Sequence, residues 1–189
     1  MYSDPTMNVI SVNVRGLNNP SKRKTIYHWF NEHKYNIICL QETFCTNESL
    51  TSFNDDWNGS SFHCISNSKH SRGVSILISK DFEHNVTSQH ISDDGRKLLI
   101  NFEHNGQTYS VASIYAPNEV NHRKDFLLQT KRWISDRASN DSCLLICGDF
   151  NCSISDLDRK MNNIDRSRPT FLDLVSGLDV NDIFRSLNR

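Results

Sequence analysis

The sequence lacks any apolar run long enough to cross a bilayer, and its first residues, MYSDPTMNVI, lack the basic and hydrophobic regions of a secretory signal. We therefore expect an intracellular protein, in the nucleus or the cytoplasm, with no membrane partner. Internal repeats, low-complexity tracts and linkers are also absent. A chain of 189 residues with 37% hydrophobic residues predicts a single folded domain over residues 1–189.

A strong net charge is also missing, since 21 Lys and Arg stand against 22 Asp and Glu for a formal net charge of −1. This balance neither favours nor excludes nucleic acid, because a bound metal ion can offset the charge of phosphate. Small basic groups occur at residues 22–24, 123–124, 131–132 and at Arg166 with Arg168. They could line one face, but each group taken singly is better explained as a solvated helix surface.

The cysteines do not form a Cys/His cluster with the spacing of a zinc site. Cys39, Cys143 and Cys147 lie in apolar, strand-like runs, where cysteine usually behaves as a small buried hydrophobe. We therefore expect free thiols. A zinc module built on Cys143, Cys147 and Cys152 is a less favoured alternative, because those spacings straddle a strand and no His pair is near.

Hydrophobic periodicity predicts strands interleaved with amphipathic helices. The predicted strands cover residues 8–14, 37–40, 62–66, 73–79, 98–102, 109–115 and 143–147, and the predicted helices begin at Asn19-Pro20, at about residue 121 and at about residue 169. The first helix is expected to bury Ile26, Trp29, Phe30 and His33 on one face, and Asn105-Gly106 is a hairpin signal. The sum predicts an α/β layered sandwich with mixed sheets.

Four predicted strands end in polar residues that strand formation does not require: Asn13; Glu42; Tyr115 with Asn118; Asp149 with Asn151. Ligand sites in α/β sheets form beyond strand ends, so we interpret these residues as one site. Carboxylates and amides favour Mg²⁺ or Mn²⁺ over zinc, and a hard ion beside phosphate-binding donors suggests phosphoester hydrolysis, with Asp149 activating a water. Singly, each residue has a simpler explanation as turn chemistry or, for Tyr115, as a core residue with a wet hydroxyl.

Five ordered motifs resemble those of the endonuclease/exonuclease/phosphatase superfamily, and within it the endonuclease domains of LINE-type non-LTR retrotransposons. They are SVNVRGLN (residues 11–18), CLQET (39–43), SRGVSILIS (71–79), IYAPN (114–118) and ICGDFN (146–151), followed by LDR (157–159). The resemblance implies a four-layered α/β sandwich, with two mixed β-sheets and outer helices. It also implies divalent-metal-dependent phosphodiester hydrolysis that nicks target DNA, whose exposed 3′ hydroxyl a reverse transcriptase further along the same polypeptide would use.

The resemblance also implies a role for each site residue. Glu42 would bind the Mg²⁺ or Mn²⁺ ion, and Asn13 would support that metal site. Tyr115 and Asn118 would contact the scissile phosphate. Asp149 would orient or deprotonate the attacking water, with Asn151 beside it.

The sequence departs from the family at its carboxyl end, where a late Asp and a terminal Ser-Asp-His are expected and the last histidine present is His122. We therefore expect a domain that lacks its last strands, and a rate lower by about a hundredfold or more. Two alternatives stay open: a non-catalytic remnant, and a phosphatase or phosphodiesterase of the same fold acting on sugar, inositol or lipid phosphates. The loops at residues 45–57 and after Asn151 are the expected source of target preference, through DNA shape rather than base edges.

Overall fold

A computed structural model describes residues 7–65, 72–154 and 165–187. The chain divides into two compact units, one of Met1–Tyr115 with Ser139–Asp149 and the other of Ala116–Ala138 with Phe150–Arg189. The elements in chain order are β1 (Val9–Asn13), α1 (Pro20–Glu32), β2 (Ile37–Gln41), α2 (Leu50–Asp56), β3 (Gly59–Cys64), β4 (Val74–Ser79), β5 (Asn85–Ile91), β6 (Lys97–His104), β7 (Gln107–Tyr115), α3 (Val120–Ser135), β8 (Cys143–Asp149), α4 (Arg168–Gly177) and α5 (Ile183–Leu187).

The first unit contains two four-stranded sheets, ordered β1-β2-β4-β3 and β5-β6-β7-β8. Each sheet is mixed, as predicted: β1 is parallel to β2 and β7 is parallel to β8, while the other pairs are antiparallel. Parallel neighbours end at the same edge of a sheet. The carboxyl ends of β1 and β2 therefore lie side by side, and so do those of β7 and β8.

Strand β2 is buried along its whole length, as its continuous apolar run predicts. Ile37 and Cys39 belong to the core between the two sheets, together with residues of β4, β6 and β7. The alternate residues Ile38 and Leu40 pack in a second core with Tyr27 and Phe30 of α1 and with side chains of α2 and β4. The period of two along a strand thus builds three layers of the first unit: helices α1 and α2, the first sheet and the second sheet.

The second unit is built around helices α3 and α4. Leu127 of α3 packs with Phe171 and Leu174 of α4, and half-buried apolar side chains surround this cluster. Phe150 packs against Phe171 with ring centroids 4.7 Å apart and the rings tilted by 45°. The residue that follows Asp149 therefore anchors the chain in the core of this unit.

The termini of the elements follow local chemistry that the sequence shows. Helix α1 begins where predicted, with the Asn19 side chain accepting a hydrogen bond from Lys22 N and Pro20 at the first helical position. The hairpin between β6 and β7 turns at Asn105 and Gly106, whose φ angles of 48° and 76° suit the tight turn that Asn-Gly favours.

The predicted buried face of helix α1 was wrong. The buried face of α1 consists of Arg23, Tyr27 and Phe30, whereas Trp29 is 40% exposed. Trp29 stacks instead on His33, with ring centroids 4.2 Å apart, so aromatic contacts at the surface replace core packing.

The predicted loop at residues 45–57 contains the short helix α2, and strand β5 was not predicted. Helix α2 buries only Phe53, and two of the three half-buried residues of β5, Ser88 and His90, are polar, so neither element has a strong apolar pattern. Cys143 is exposed rather than buried, while Cys39 is buried, and all six cysteines are free thiols as expected.

Among the helices that lie in the described parts of the chain, none combines the length and the apolar character that crossing a membrane requires.

Candidate active site

Strand registers bring four of the predicted site residues to neighbouring strand ends of the first unit. Asn13, the last residue of β1, is paired with Gln41, which immediately precedes Glu42. Tyr115 and Asp149, the last residues of β7 and β8, are paired with each other. Polar side chains at the ends of two parallel strand pairs are thus collected at one place, as the sequence predicts.

The side-chain amide of Asn13 joins the two carboxylates. Its Nδ2 atom donates to Glu42 Oε1 at 2.8 Å and to Asp149 Oδ2 at 3.0 Å. Its Oδ1 atom accepts from the backbone N–H of Arg15 at 3.2 Å, which fixes which side of the amide faces the carboxylates. One neutral donor therefore holds Glu42 of the first sheet beside Asp149 of the second.

Tyr115 is 7% exposed, and its hydroxyl donates a hydrogen bond to the Glu42 carboxylate. Burial, reinforced by this hydrogen bond, raises the pKa of Tyr115 to about 12. The phenol therefore stays protonated at neutral pH, with its single O–H engaged by Glu42. Arg96 lies over the Tyr115 ring at 5.0 Å and donates from Nη1 to the Tyr115 carbonyl at 3.1 Å, which fixes the ring.

The backbone at Glu42 is left-handed, with φ of 53°. It is held there by the backbone N–H of Gly16, which donates to the Glu42 carbonyl at 2.6 Å, and by Thr43 N, which donates to Gly73 O at 3.0 Å. A non-glycine residue in this conformation carries strain that the surroundings must offset. The left-handed conformation turns the chain at Glu42 out of the line of β2, which ends at Gln41.

Gln41 is a site component that the sequence prediction did not include. It is 1% exposed, and its Nε2 atom donates to Ser11 Oγ and Ser113 Oγ, each at 3.2 Å, and to the Cys39 carbonyl. Gln41 thereby connects β1, β2 and β7 next to Glu42. The only sequence signal was a polar residue inside a run otherwise buried on both faces.

The donor set fits a hard divalent cation. Glu42 and Asp149 offer carboxylate oxygens, and no sulfur or imidazole is among their hydrogen-bonding partners given above. Within residues 7–65, 72–154 and 165–187, no group of three or more His, Cys, Asp or Glu is arranged to hold a metal. Proteins usually bind Mg²⁺ through one or two carboxylates, and water molecules fill several of the remaining coordination positions.

The other two predicted site residues, Asn118 and Asn151, lie in the second unit. Asn151 has φ of 50°, and its Nδ2 atom donates to the Ala116 carbonyl at 2.8 Å, so this amide ties the chain after β8 to the chain after β7. The carbonyl of Asn118 accepts from Arg123 Nη1 at 2.7 Å.

Two residues of the predicted basic groups, Arg23 and Arg123, are not solvated, whereas Lys22 and Lys24 on either side of Arg23 are exposed. Arg23 is buried and pairs with Asp56, and Arg123 is buried and pairs with Asp165 at 3.0 Å. For these two residues the interpretation as surface charge was wrong, because each guanidinium has a carboxylate partner distant in sequence. The LDR motif at residues 157–159 and Ser71 of the SRGVSILIS motif lie outside the described residues.

Several known proteins resemble this chain. The "Transposon TX1 uncharacterized 149 kDa protein" of Xenopus laevis is 28% identical over 185 residues, which cover 96% of this chain and 14% of that protein. The chain therefore spans about a seventh of the length of this relative.

Two solved structures share the fold at low sequence identity. D. rerio TDP2 complexed with single strand DNA product has a TM-score of 0.62 at 15% identity, covering 95% of this chain and 67% of that one. The human Nocturnin catalytic domain with bound sulfate anion has a TM-score of 0.64 at 12% identity, covering 96% and 74%. The family described as "Endonuclease/Exonuclease/phosphatase family" matches residues 10–185. This match covers most of the chain, so the protein belongs to the endonuclease/exonuclease/phosphatase family.

Proposed function

We propose that this domain hydrolyses phosphodiester bonds of DNA with the help of a divalent metal ion, nicking target DNA for retrotransposition. Members of its family are nucleases and phosphodiesterases that generally depend on a divalent metal. The observation that carries the proposal is the pair of carboxylates, Glu42 and Asp149, held together by the Asn13 amide. A fold can do without two neighbouring negative charges, but a metal-assisted hydrolase uses them.

Glu42, supported by Asn13, would hold Mg²⁺ or Mn²⁺, and the ion when bound would neutralise charge that develops on the phosphate. Asp149 orients the attacking water and accepts its proton. When Glu42 takes up the metal ion, the Tyr115 phenol would turn its single O–H from Glu42 to a phosphate oxygen, where donors stabilise developing charge. Asn118 contacts the scissile phosphate, and Asn151 keeps the backbone beside Asp149 in place; both roles rest on the positions of these residues in their motifs.

DNA is the proposed substrate for two reasons. The relative from Xenopus laevis is a transposon protein, and one similar structure was solved with a single strand DNA product. Because this chain matches only 14% of the transposon protein, we propose that the domain works within a longer polypeptide that also carries a reverse transcriptase. In that setting the nick would supply the 3′ hydroxyl from which synthesis starts.

The test is conversion of supercoiled plasmid to open circle with Mg²⁺ or Mn²⁺, with EDTA, and with the variants Glu42→Ala and Asp149→Ala. We expect nicking by the parent chain, its loss with EDTA, and a fall of about a hundredfold or more in each variant. Glu32→Ala, which removes a carboxylate at the end of α1 whose side chain is 59% exposed, is the matched control and should nick like the parent.

Two results would contradict the proposal. A folded parent chain that does not nick with either ion would favour the non-catalytic remnant. Faster release of phosphate from sugar, inositol or lipid phosphates than nicking of plasmid would favour the phosphatase of the same fold.

A further inference from the structure

Arg123, in the first turn of α3, has every one of its N–H donors engaged. It is 2% exposed. Nε donates to Ser167 Oγ at 2.7 Å, Nη2 donates to both carboxylate oxygens of Asp165 at 3.0 Å, and Nη1 donates to the carbonyls of Pro117 and Asn118 at 3.2 and 2.7 Å. A guanidinium offers five N–H groups in a fixed plane, so this side chain has no remaining freedom to choose other partners.

The partners of Arg123 are themselves fixed. The Asp165 side chain is fully buried, and it accepts hydrogen bonds from the Ser167 hydroxyl at 2.6 Å and the Ser167 backbone N–H at 2.9 Å. A bidentate pair between guanidinium and carboxylate fixes orientation as well as distance. The contacts with Asp165 and Ser167 alone therefore fix the orientation of the guanidinium plane, independently of its contacts with the two carbonyls.

The two carbonyls belong to the corner that carries Asn118. This corner connects the end of β7 to α3, whose amino terminus is capped by the Glu119 side chain accepting from Asn121 N and His122 N. The cap fixes the helix side of the corner, and Arg123 holds the carbonyls of the two peptide groups that flank the Asn118 Cα. Apolar residues at both 123 and 165 could satisfy packing, since buried ion pairs are often no more stabilising than apolar groups of similar volume. An apolar residue would leave both carbonyls unheld.

We propose that Arg123 is a positioning residue for the phosphodiesterase reaction, fixing the backbone of the Pro117–Asn118 corner so that the Asn118 amide is aimed at the phosphate. The inference rests on the function proposed above and assigns it a residue outside the strand-end motifs. It gives a reason for a buried charge cluster in contact with the Pro117 and Asn118 carbonyls. Arg123 itself does not touch the substrate.

The experiment is a double-mutant cycle on plasmid nicking, with the parent chain, Arg123→Lys, Asn118→Ala and the double variant. Lysine keeps the charge but cannot hold Asp165 and both carbonyls together. We expect Arg123→Lys to lower kcat by about tenfold to a hundredfold with little change in KM, because a misplaced contact is lost in the transition state. In the Asn118→Ala background, the same change should cost no more than about threefold, since the residue that it positions is gone.

Arg132→Lys is the matched control, because Arg132 lies on the same helix with its side chain 86% exposed, and it should match the parent. If Arg123→Lys does not fold, Ser167→Ala replaces it, removing the hydrogen bonds that the hydroxyl makes with Arg123 and Asp165 and keeping the ion pair. A smaller loss with the same non-additivity is expected. Losses that multiply in the double variant, or an unchanged kcat, would overturn the positioning role while leaving the proposed function intact. A parent chain that fails to nick overturns the proposed function itself and the inference with it.

Discussion

The Nδ2 atom of Asn13 lies 3.0 Å from Oδ2 of Asp149, joining two residues that are 136 positions apart and belong to different sheets. The same nitrogen lies 2.8 Å from Glu42 Oε1. Two carboxylates that contact the same nitrogen repel each other, and the hydrogen bonds from this neutral donor lower the electrostatic cost of holding them together. Asn13 thus keeps the pair assembled before any cation arrives, which is the preorganisation that a metal-assisted site needs.

Asn13→Ala is expected to lower nicking by about tenfold to a hundredfold and to raise the Mg²⁺ concentration needed for half-maximal rate, since supporting residues of a metal site typically contribute that much. Titrating Mg²⁺ in the plasmid assay measures both effects. Asn31→Ala on the exposed face of α1 is the control. An unchanged Mg²⁺ dependence in Asn13→Ala would mean that the amide does not support the metal site.

The strand-end residues could be predicted from the sequence because a polar side chain directly after a buried run is a local signal. The apolar run at residues 37–40 predicts β2 and its burial on both faces, and the run at 143–147 predicts β8. Periodicity could not predict which strand ends lie next to each other. That depends on the pairing of β1 with β2 and of β7 with β8, and on how the two sheets face each other, both of which are long-range.

Gly148→Ala is expected to destabilise the first unit by about 2 kcal/mol or more, because overpacking at a close backbone contact forces the chain to shift. A Cβ atom at position 148 would lie 2.2 Å from the carbonyl oxygen of Ile114, the residue paired with it across β7 and β8. Urea unfolding measures the loss. The shift should also displace the neighbouring Asp149 and lower nicking.

The comparison for Gly148 is Gly106→Ala at the hairpin, where φ is 76° and nothing lies within 4 Å of the added Cβ. There only the backbone conformation opposes alanine, at a cost of about 1 kcal/mol. If Gly148→Ala costs no more than Gly106→Ala, the close approach of β7 and β8 at this point is not a constraint on the sequence.

Gln41→Leu is expected to lower the free energy of unfolding by about 1 to 3 kcal/mol, since it leaves buried partners of the amide without their hydrogen bond. The hydroxyl of Ser113 and the carbonyl of Cys39 would lose their donor. Urea unfolding measures the change, and Gln89→Leu, at an exposed position of β5, is the control. Equal effects of the two changes would show that the link between β2 and β7 contributes nothing to stability.

The burial of two arginines could not be predicted from the sequence. Arg23 and Arg123 sit at helical positions that a hydrophobicity pattern assigns to solvent, yet each is buried with a carboxylate partner on a distant segment. A charge is interpreted as surface by default because burial without a partner is costly. Only the fold shows that the partner, Asp56 or Asp165, is there.

Asp165 is expected to contribute to the acid sensitivity of the chain. Burial alone would raise its pKa, but hydrogen bonds from Ser167 and Arg123 outweigh burial and lower the pKa from its ordinary 3.8 to about 2. A carboxyl with a depressed pKa in the folded state stabilises the fold fully above its unfolded pKa and loses that contribution as pH falls through the folded pKa. The contribution, about 2 kcal/mol, should therefore be present at pH 5 and decline between about pH 4 and pH 2.

Urea unfolding at a series of pH values from 7 to 2, on the parent chain and on Asp165→Asn, measures this contribution. The variant should be less stable at neutral pH by about 3 to 5 kcal/mol, because it leaves the buried Arg123 charge without its partner, and it should lose less additional stability below pH 4 than the parent does. Asp173→Asn, which removes an α4 carboxylate with its side chain 55% exposed, should change neither the stability at pH 7 nor the slope. If the free energy of unfolding falls with the same slope between pH 4 and pH 2 in the parent and in Asp165→Asn, then Asp165 is not held ionised by Ser167 and Arg123. In that case no carboxylate charge would orient the Arg123 guanidinium that holds the Asn118 carbonyl.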